Sequence, residues 1–158
     1  MKTILYCRVS SDEQAKGASL EVQEAYLRSY CANHNYEIVG VYKDDYSAKH
    51  FDLQRPEFKK MYDYCRKNKK LIDKVLFLRW DRYSRNLEFA LTYKRKFIDE
   101  MGIEINAIES PIDFSGTEWS MLMGMYCGVA HTEDEKISRR TKECTHKKRM
   151  QGHCTNKA

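Results

Sequence analysis

Two short segments hold the residues best suited to chemistry. In residues 6–14 (YCRVSSDEQ), Ser10 and Ser11 follow a short apolar run, and Arg8 stands two residues before Ser10. In residues 80–86 (WDRYSRN), Arg82 and Arg85 lie three apart beside Asp81. A hydroxyl nucleophile among guanidiniums, with no obvious metal ligand in either segment, suits metal-free attack on a phosphodiester. Guanidinium forks match phosphate oxygens two at a time and stay charged at any working pH. They can therefore offset charge that develops on phosphorus. Taken singly, Ser10 reads as a turn serine, Arg8 as a surface charge, and Asp81 with Arg82 as an ion pair. Only the joint pattern carries the chemistry.

These segments need a scaffold, and the flanking sequence supplies one. Residues 3–7 form an apolar run rich in strand formers. Ser19 is placed to cap a helix with Leu20, Leu27, Tyr30 and Cys31 on one face. Residues 36–42 (YEIVGVY) predict a second strand, followed by a polar loop over 43–54. Pro56 opens a helix whose Phe58, Met61, Tyr62 and Cys65 recur at amphipathic spacing. Residues 75–78 predict a third strand. Asn86 caps a helix carrying Leu87, Ala90, Leu91, Phe97, Ile98 and Met101, with Gly102 as its stop. Ile103, Ile105 and Ala107 alternate as a fourth strand. Strands separated by helices predict an α/β fold with a mostly parallel central sheet flanked by helices; periodicity does not give the strand order.

The last element differs. From 117 to about 151 there is no proline and the helical pattern is unbroken, a rod of about 50 Å. Its first half is apolar nearly all round, with Trp119, Met121, Leu122, Met123, Met125, Tyr126 and Val129. Such a helix must be covered on every face, one face by its own domain and the other by a partner. The four-residue spacing of Gly124 and Gly128 would admit a second helix closely. A helix internal to its own domain is the alternative.

At 158 residues, 42% hydrophobic and 32% charged, the chain supports one full core and not two ordinary domains. No apolar run of about 18 residues is present, and the N-terminus turns polar by Arg8, too soon for a secretory signal. A cytoplasmic protein is expected, with cysteines 7, 31, 65, 127, 144 and 154 as reduced thiols. Cys144, His146, His153 and Cys154 lack the paired spacing of a zinc site, so no metal is expected. The net charge of +5 is uneven. From Lys136 onward eight basic residues face one acid, a net +7 that leaves −2 on residues 1–135. A segment so one-sided suits a polyanion.

The set Tyr6, Arg8, Val9, Ser10, Gln14 and then Asp81, Arg82, Arg85 closely resembles the YxRVSxxxQ-like and DRxxR segments of serine recombinases, the resolvase, invertase and large serine integrase family. Arg55-Pro56 ahead of the second helix and Pro111-Ile112-Asp113 ahead of the long one follow the same plan. The resemblance implies a resolvase-like catalytic core over 1–115, a long dimerisation and DNA-contacting helix over 116–151, and the start of a linker over 152–158. That linker would lead to an absent DNA-binding domain, making the chain an isolated catalytic domain from a bacterial, phage or mobile-element recombinase.

By the same resemblance Ser10 would attack a DNA phosphodiester and join the 5′ phosphate, with Ser11 as a rival hydroxyl. Arg8, Arg82, Arg85 and Arg55 would hold the scissile phosphate, and Asp81 would orient an arginine or handle a proton. Gln14, Gln23 and Ser47 would support the active loop. Asp44 and Ser47 match a D-x-x-S loop, although Ala48 stands where glycine is usual. Arg140, Lys147, Lys148 and Arg149 would contact DNA, although Arg139 stands where an acidic residue is frequent. Trp119, Leu122, Met125, Tyr126 and Val129 would line a dimer interface. No cofactor or nucleotide is implied. The implied partners are double-stranded DNA and copies of the chain, dimers assembling to a homotetramer. Two other functions stay open: a catalytically idle, DNA-bound oligomerisation module of the same fold, and a small-molecule phosphate or nucleotide site. The second lacks any Gly-rich phosphate loop.

Overall fold

An uninterrupted apolar run suits a strand covered on both faces, and β1 (Lys2–Arg8) is one, buried at every position after Lys2. The computed structural model describes residues 1–9, 19–44 and 55–127. Among these, β1 joins β2 (Glu37–Asp44), β3 (Lys74–Phe77) and β4 (Glu104–Ala107) in an all-parallel sheet ordered β2-β1-β3-β4. Alternate β1 side chains enter different cores. Leu5 and Cys7 pack with Leu76 beneath Leu27 and Cys31 of α1 (Leu20–Asn33). Ile4 and Tyr6 pack with Val75, Phe77 and Ile105 against Phe58, Met61 and Cys65 of α2 (Pro56–Lys67). The expected α/β architecture is present, with β1 central.

Both helix caps lie where the sequence placed them. Ser19 Oγ accepts from the Val22 N–H at 3.1 Å. Asn86 Oδ1 accepts from the Phe89 N–H at 2.8 Å, opening α4 (Leu87–Lys94). This helix widens into a π-helical turn, Arg95–Glu100, which periodicity does not anticipate. It stops at Gly102, whose φ of +69° suits the residue after a helix. A one-turn helix, α3 (Trp80–Tyr83), stands where no element was predicted.

Residues 119–127 are helical. Met123 and Cys127, four apart, are buried in the core, and Trp119 and Leu122 pack half-buried against it. Met121 and Met125 are 63% and 55% exposed, with Tyr126 also exposed. A Cβ added at Gly124 would meet nothing within 4 Å. The remainder of 116–151 after residue 127, with Val129, and all of 152–158 lie outside the described residues. Among the described residues no helix is long and apolar enough to cross a membrane.

Strand β2 runs two residues past its predicted end because Asp44 has buried work to do. Its carboxylate accepts from the Tyr6 hydroxyl at 2.8 Å and from the N–H groups of Glu57 and Phe58 at 3.1 and 3.0 Å. Arg55, the residue before α2, makes no side-chain cap, so Asp44 caps that helix from across the chain. Asp44→Ala would leave a phenol and two helix N–H groups without their acceptor. We expect it to remove about 2–4 kcal/mol of unfolding free energy in urea melts, with Asp44→Asn losing less. A loss below about 0.5 kcal/mol would contradict this role.

Candidate active site

Ligands of open parallel sheets bind beyond the carboxyl ends of the strands, where successive connections diverge. Here that point is the C-terminal end of β1, flanked by β2 and β3. Arg8 is the last residue of β1 and is 2% exposed. Its backbone is clamped by one side chain of α1: Gln23 Oε1 accepts from the Arg8 N–H at 3.3 Å, and Gln23 Nε2 donates to the Arg8 carbonyl at 3.0 Å. The next residue, Val9, donates its N–H to the Asp44 carbonyl at 3.2 Å. The chain is thus held on both sides up to the residue before Ser10.

The guanidiniums of Arg8 and Arg55 donate to backbone carbonyls. Arg8 Nε donates to the Arg82 carbonyl at 3.0 Å and its Nη2 to the Asp81 carbonyl. Arg55, 6% exposed, donates through Nη1 to the Tyr83 carbonyl. These three carbonyls end α3, and the last carbonyls of any helix have no partner within it. They also form the negative end of its dipole, which favours cations. The Arg55 guanidinium lies 5.2 Å from the Phe89 ring centroid and 6.0 Å from that of Phe58, within cation–π reach.

Asp81 sits between two guanidiniums, with Arg79 Nε 3.3 Å from Oδ1 and Arg82 Nη1 3.4 Å from Oδ2. Arg82 is buried and Arg85 half-buried. Burial, then the neighbouring Arg55, Arg85 and Arg82 charges, push the Arg8 guanidinium down to about 10. It is still charged at neutral pH. Burial is also the main cause that drives the Tyr6 hydroxyl far above its usual range, so Tyr6 stays a neutral donor to Asp44. A partly desolvated cluster of guanidiniums gains from an anion that brings oxygen acceptors.

Of the residues singled out from sequence, Arg8, Arg55, Asp81, Arg82, Arg85 and Gln23 converge on this end of the sheet. Trp119 and Leu122 face the core, while Met125 and Tyr126 are exposed on the helix over 119–127. Ser10, Ser11, Gln14, Ser47, Val129, Arg140, Lys147, Lys148 and Arg149 lie outside the described residues. The zinc candidates Cys144, His146, His153 and Cys154 lie there too. Tyr6 and Asp44 lie in the sequence motifs, but their buried roles here are not marked by residue type or spacing. Asp44 caps a helix that begins twelve residues later, so no local cap signature marks it.

Comparison with known proteins gives the family and relatives of the same fold. The family model of the resolvase N-terminal domain matches residues 3–154. The fold is similar to a resolvase family site-specific recombinase from Streptococcus pneumoniae, at 30% identity and a TM-score of 0.62, covering 94% of this chain and 99% of that one. It is also similar to the C-terminal catalytic domain of ISC1926 TnpA, an IS607-like serine recombinase, at 29% identity and TM-score 0.55, covering 68% and 70% of the two chains. The N-terminal catalytic domain of TP901-1 integrase shares the fold at 22% identity and TM-score 0.64, covering 85% of this chain and 98% of that one. No curated protein sequence matches the chain. With a family match across nearly its whole length and the arginine cluster in place at the end of β1, the chain belongs to the resolvase N-terminal domain family, the catalytic domain of serine recombinases.

Proposed function

We propose that this chain cuts and rejoins double-stranded DNA as the catalytic domain of a site-specific serine recombinase, with Ser10 as nucleophile. The observation that carries this is the gathering of Arg8, Arg55 and Arg82 at the end of β1, two residues before Ser10 in the sequence. As the Ser10 Oγ–P bond forms, the P–O3′ bond breaks. The serine loses a proton, and the departing 3′ oxygen gains one. One phosphodiester replaces another, so bond energy is kept in the covalent 5′-phosphoserine link. Arg8, Arg55, Arg82 and Arg85 act on the non-bridging oxygens, where negative charge builds up. Both Asp81 oxygens already face guanidiniums, which favours an orienting role over proton transfer. Gln23 sets Arg8 by holding both polar atoms of its backbone.

The reading extends to assembly. Residues 1–115 form the catalytic core, and 116–151, helical over 119–127, the segment that pairs copies of the chain before reaching DNA. Support comes from the exposed Met121, Met125 and Tyr126 beside an open Gly124. Pairs of such dimers would form the tetramer needed for four strand breaks. Arg140, Lys147, Lys148 and Arg149 then contact phosphates, positioning DNA without reading its sequence. The protein is of bacterial or mobile-element origin and works in the cytoplasm without cofactor or nucleotide.

Residues 1–158 fused to a DNA-binding module of known site, given a nicked suicide substrate in EDTA, should yield a protein–DNA adduct. Ser10→Ala should abolish it and Ser11→Ala should retain it. If no adduct forms despite DNA binding and tetramer assembly, the chain is an idle oligomerisation module. In the same assay Gln23→Ala, which removes both clamps on Arg8, should slow adduct formation. It should also cost about 1–3 kcal/mol in urea melts; unchanged rate and stability would contradict its role.

A further inference from the structure

Held by backbone acceptors, the arginine cradle is only as well placed as α3 itself. A single helical turn has no stability of its own, so the orientation of α3 is set by the side chains that anchor it. Trp80, at its first position, is the bulkiest fully buried side chain among the described residues. Its indole lies edge-on to Phe77 at 4.9 Å, to Tyr83 at 5.8 Å and to Phe114 at 5.9 Å between ring centroids. Its Nε1–H donates to the Ser110 carbonyl at 2.8 Å. Its own carbonyl accepts the Ser84 N–H at 2.8 Å, closing the turn. The next three carbonyls, of Asp81, Arg82 and Tyr83, are those that receive Arg8 and Arg55.

We infer that Trp80 is a positioning residue for strand cleavage, acting through α3 on the guanidiniums of Arg8 and Arg55; this rests on the recombinase reading above. The indole sets the tilt of α3 by packing between β3 and Phe114 and by its bond to Ser110. The tilt sets where three carbonyl oxygens point, and these set two planar guanidiniums. Trp80 touches neither DNA nor the reacting atoms. A smaller residue leaves space into which α3 can rotate, taking the acceptors with it.

The test uses the fused chain on nicked DNA at saturating concentration, comparing Trp80→Leu, Trp80→Phe and Ile103→Ala with wild type. Ile103 is a fully buried core residue just before β4, at the opposite end of the sheet from α3. Its truncation reports what loss of stability alone does to the rate, with thermal melting measured for each variant. Trp80→Leu should slow adduct formation on the order of 10- to 100-fold with DNA affinity unchanged, as expected for roughly ångström-scale misplacement of catalytic groups. Trp80→Phe keeps a ring but loses the Ser110 bond, and should be slowed less, by about 3-fold or more. Ile103→Ala should react within about 2-fold of wild type, since distant sites act independently. Should Trp80→Leu fail to fold, Trp80→Phe carries the test. A Trp80 variant that folds and reacts at the wild-type rate overturns the inference, as does equal slowing by Ile103→Ala. A wild-type fusion that gives no Ser10-dependent adduct refutes the recombinase reading itself, and the inference with it.

Discussion

Guanidiniums gathered in a partly desolvated space repel one another, and the fold must supply acceptors before any substrate arrives. It does so with the open end of a single helical turn. The carbonyls of Asp81, Arg82 and Tyr83 receive Arg8 and Arg55, while the Asp81 carboxylate faces Arg79 and Arg82. Backbone carbonyls orient a cation without cancelling its charge, so Arg8 keeps its positive charge while its donors are fixed in direction. Donors presented in fixed directions suit the oxygens of a phosphate.

The rest of the domain can be understood as support for this arrangement. A central parallel strand brings Arg8 to the point where the β1–β2 and β3–β4 connections diverge, the usual place for a ligand in such sheets. Asp44, at the end of the neighbouring strand, holds the Tyr6 hydroxyl and the first N–H groups of α2. It thereby places Arg55 immediately ahead of that helix. Gln23 holds the Arg8 backbone from the other side of the sheet. Polar contacts from both faces of the sheet thus hold this end of β1, and losing a buried one would be costly.

Much of this was legible in the sequence where the signals are local. Ser19 and Asn86 lie within three residues of the N–H groups they cap, and Gly102 marks its helix end by the conformation it permits. The apolar run in β1 and the spacing of Phe58, Met61 and Cys65 follow directly from which faces are covered. Arg8, Arg82 and Arg85 stand out by type and spacing, and Arg55 by the family resemblance alone. What the sequence hid is non-local or carried by the backbone. Strand order depends on pairing, which side-chain alternation does not encode. Asp44 is thirteen and fourteen residues from the two N–H groups of α2 that it caps. The carbonyls that hold the arginines carry no residue identity at all, and the turn bearing them is too short to show a period.

The central claim is that these guanidiniums offset negative charge on the scissile phosphate, and it is tested by removing that charge from the DNA. A fused chain would be given substrates that differ only in a phosphodiester or an uncharged methylphosphonate at the cleaved position. Cleavage by wild type would be compared with that by Arg8→Ala, Arg55→Ala and Arg82→Ala. The account predicts that each arginine variant is severely impaired on the phosphodiester and regains much of its relative activity on the neutral linkage. Equal impairment on both substrates would contradict it, making the arginines structural supports and not partners of the phosphate.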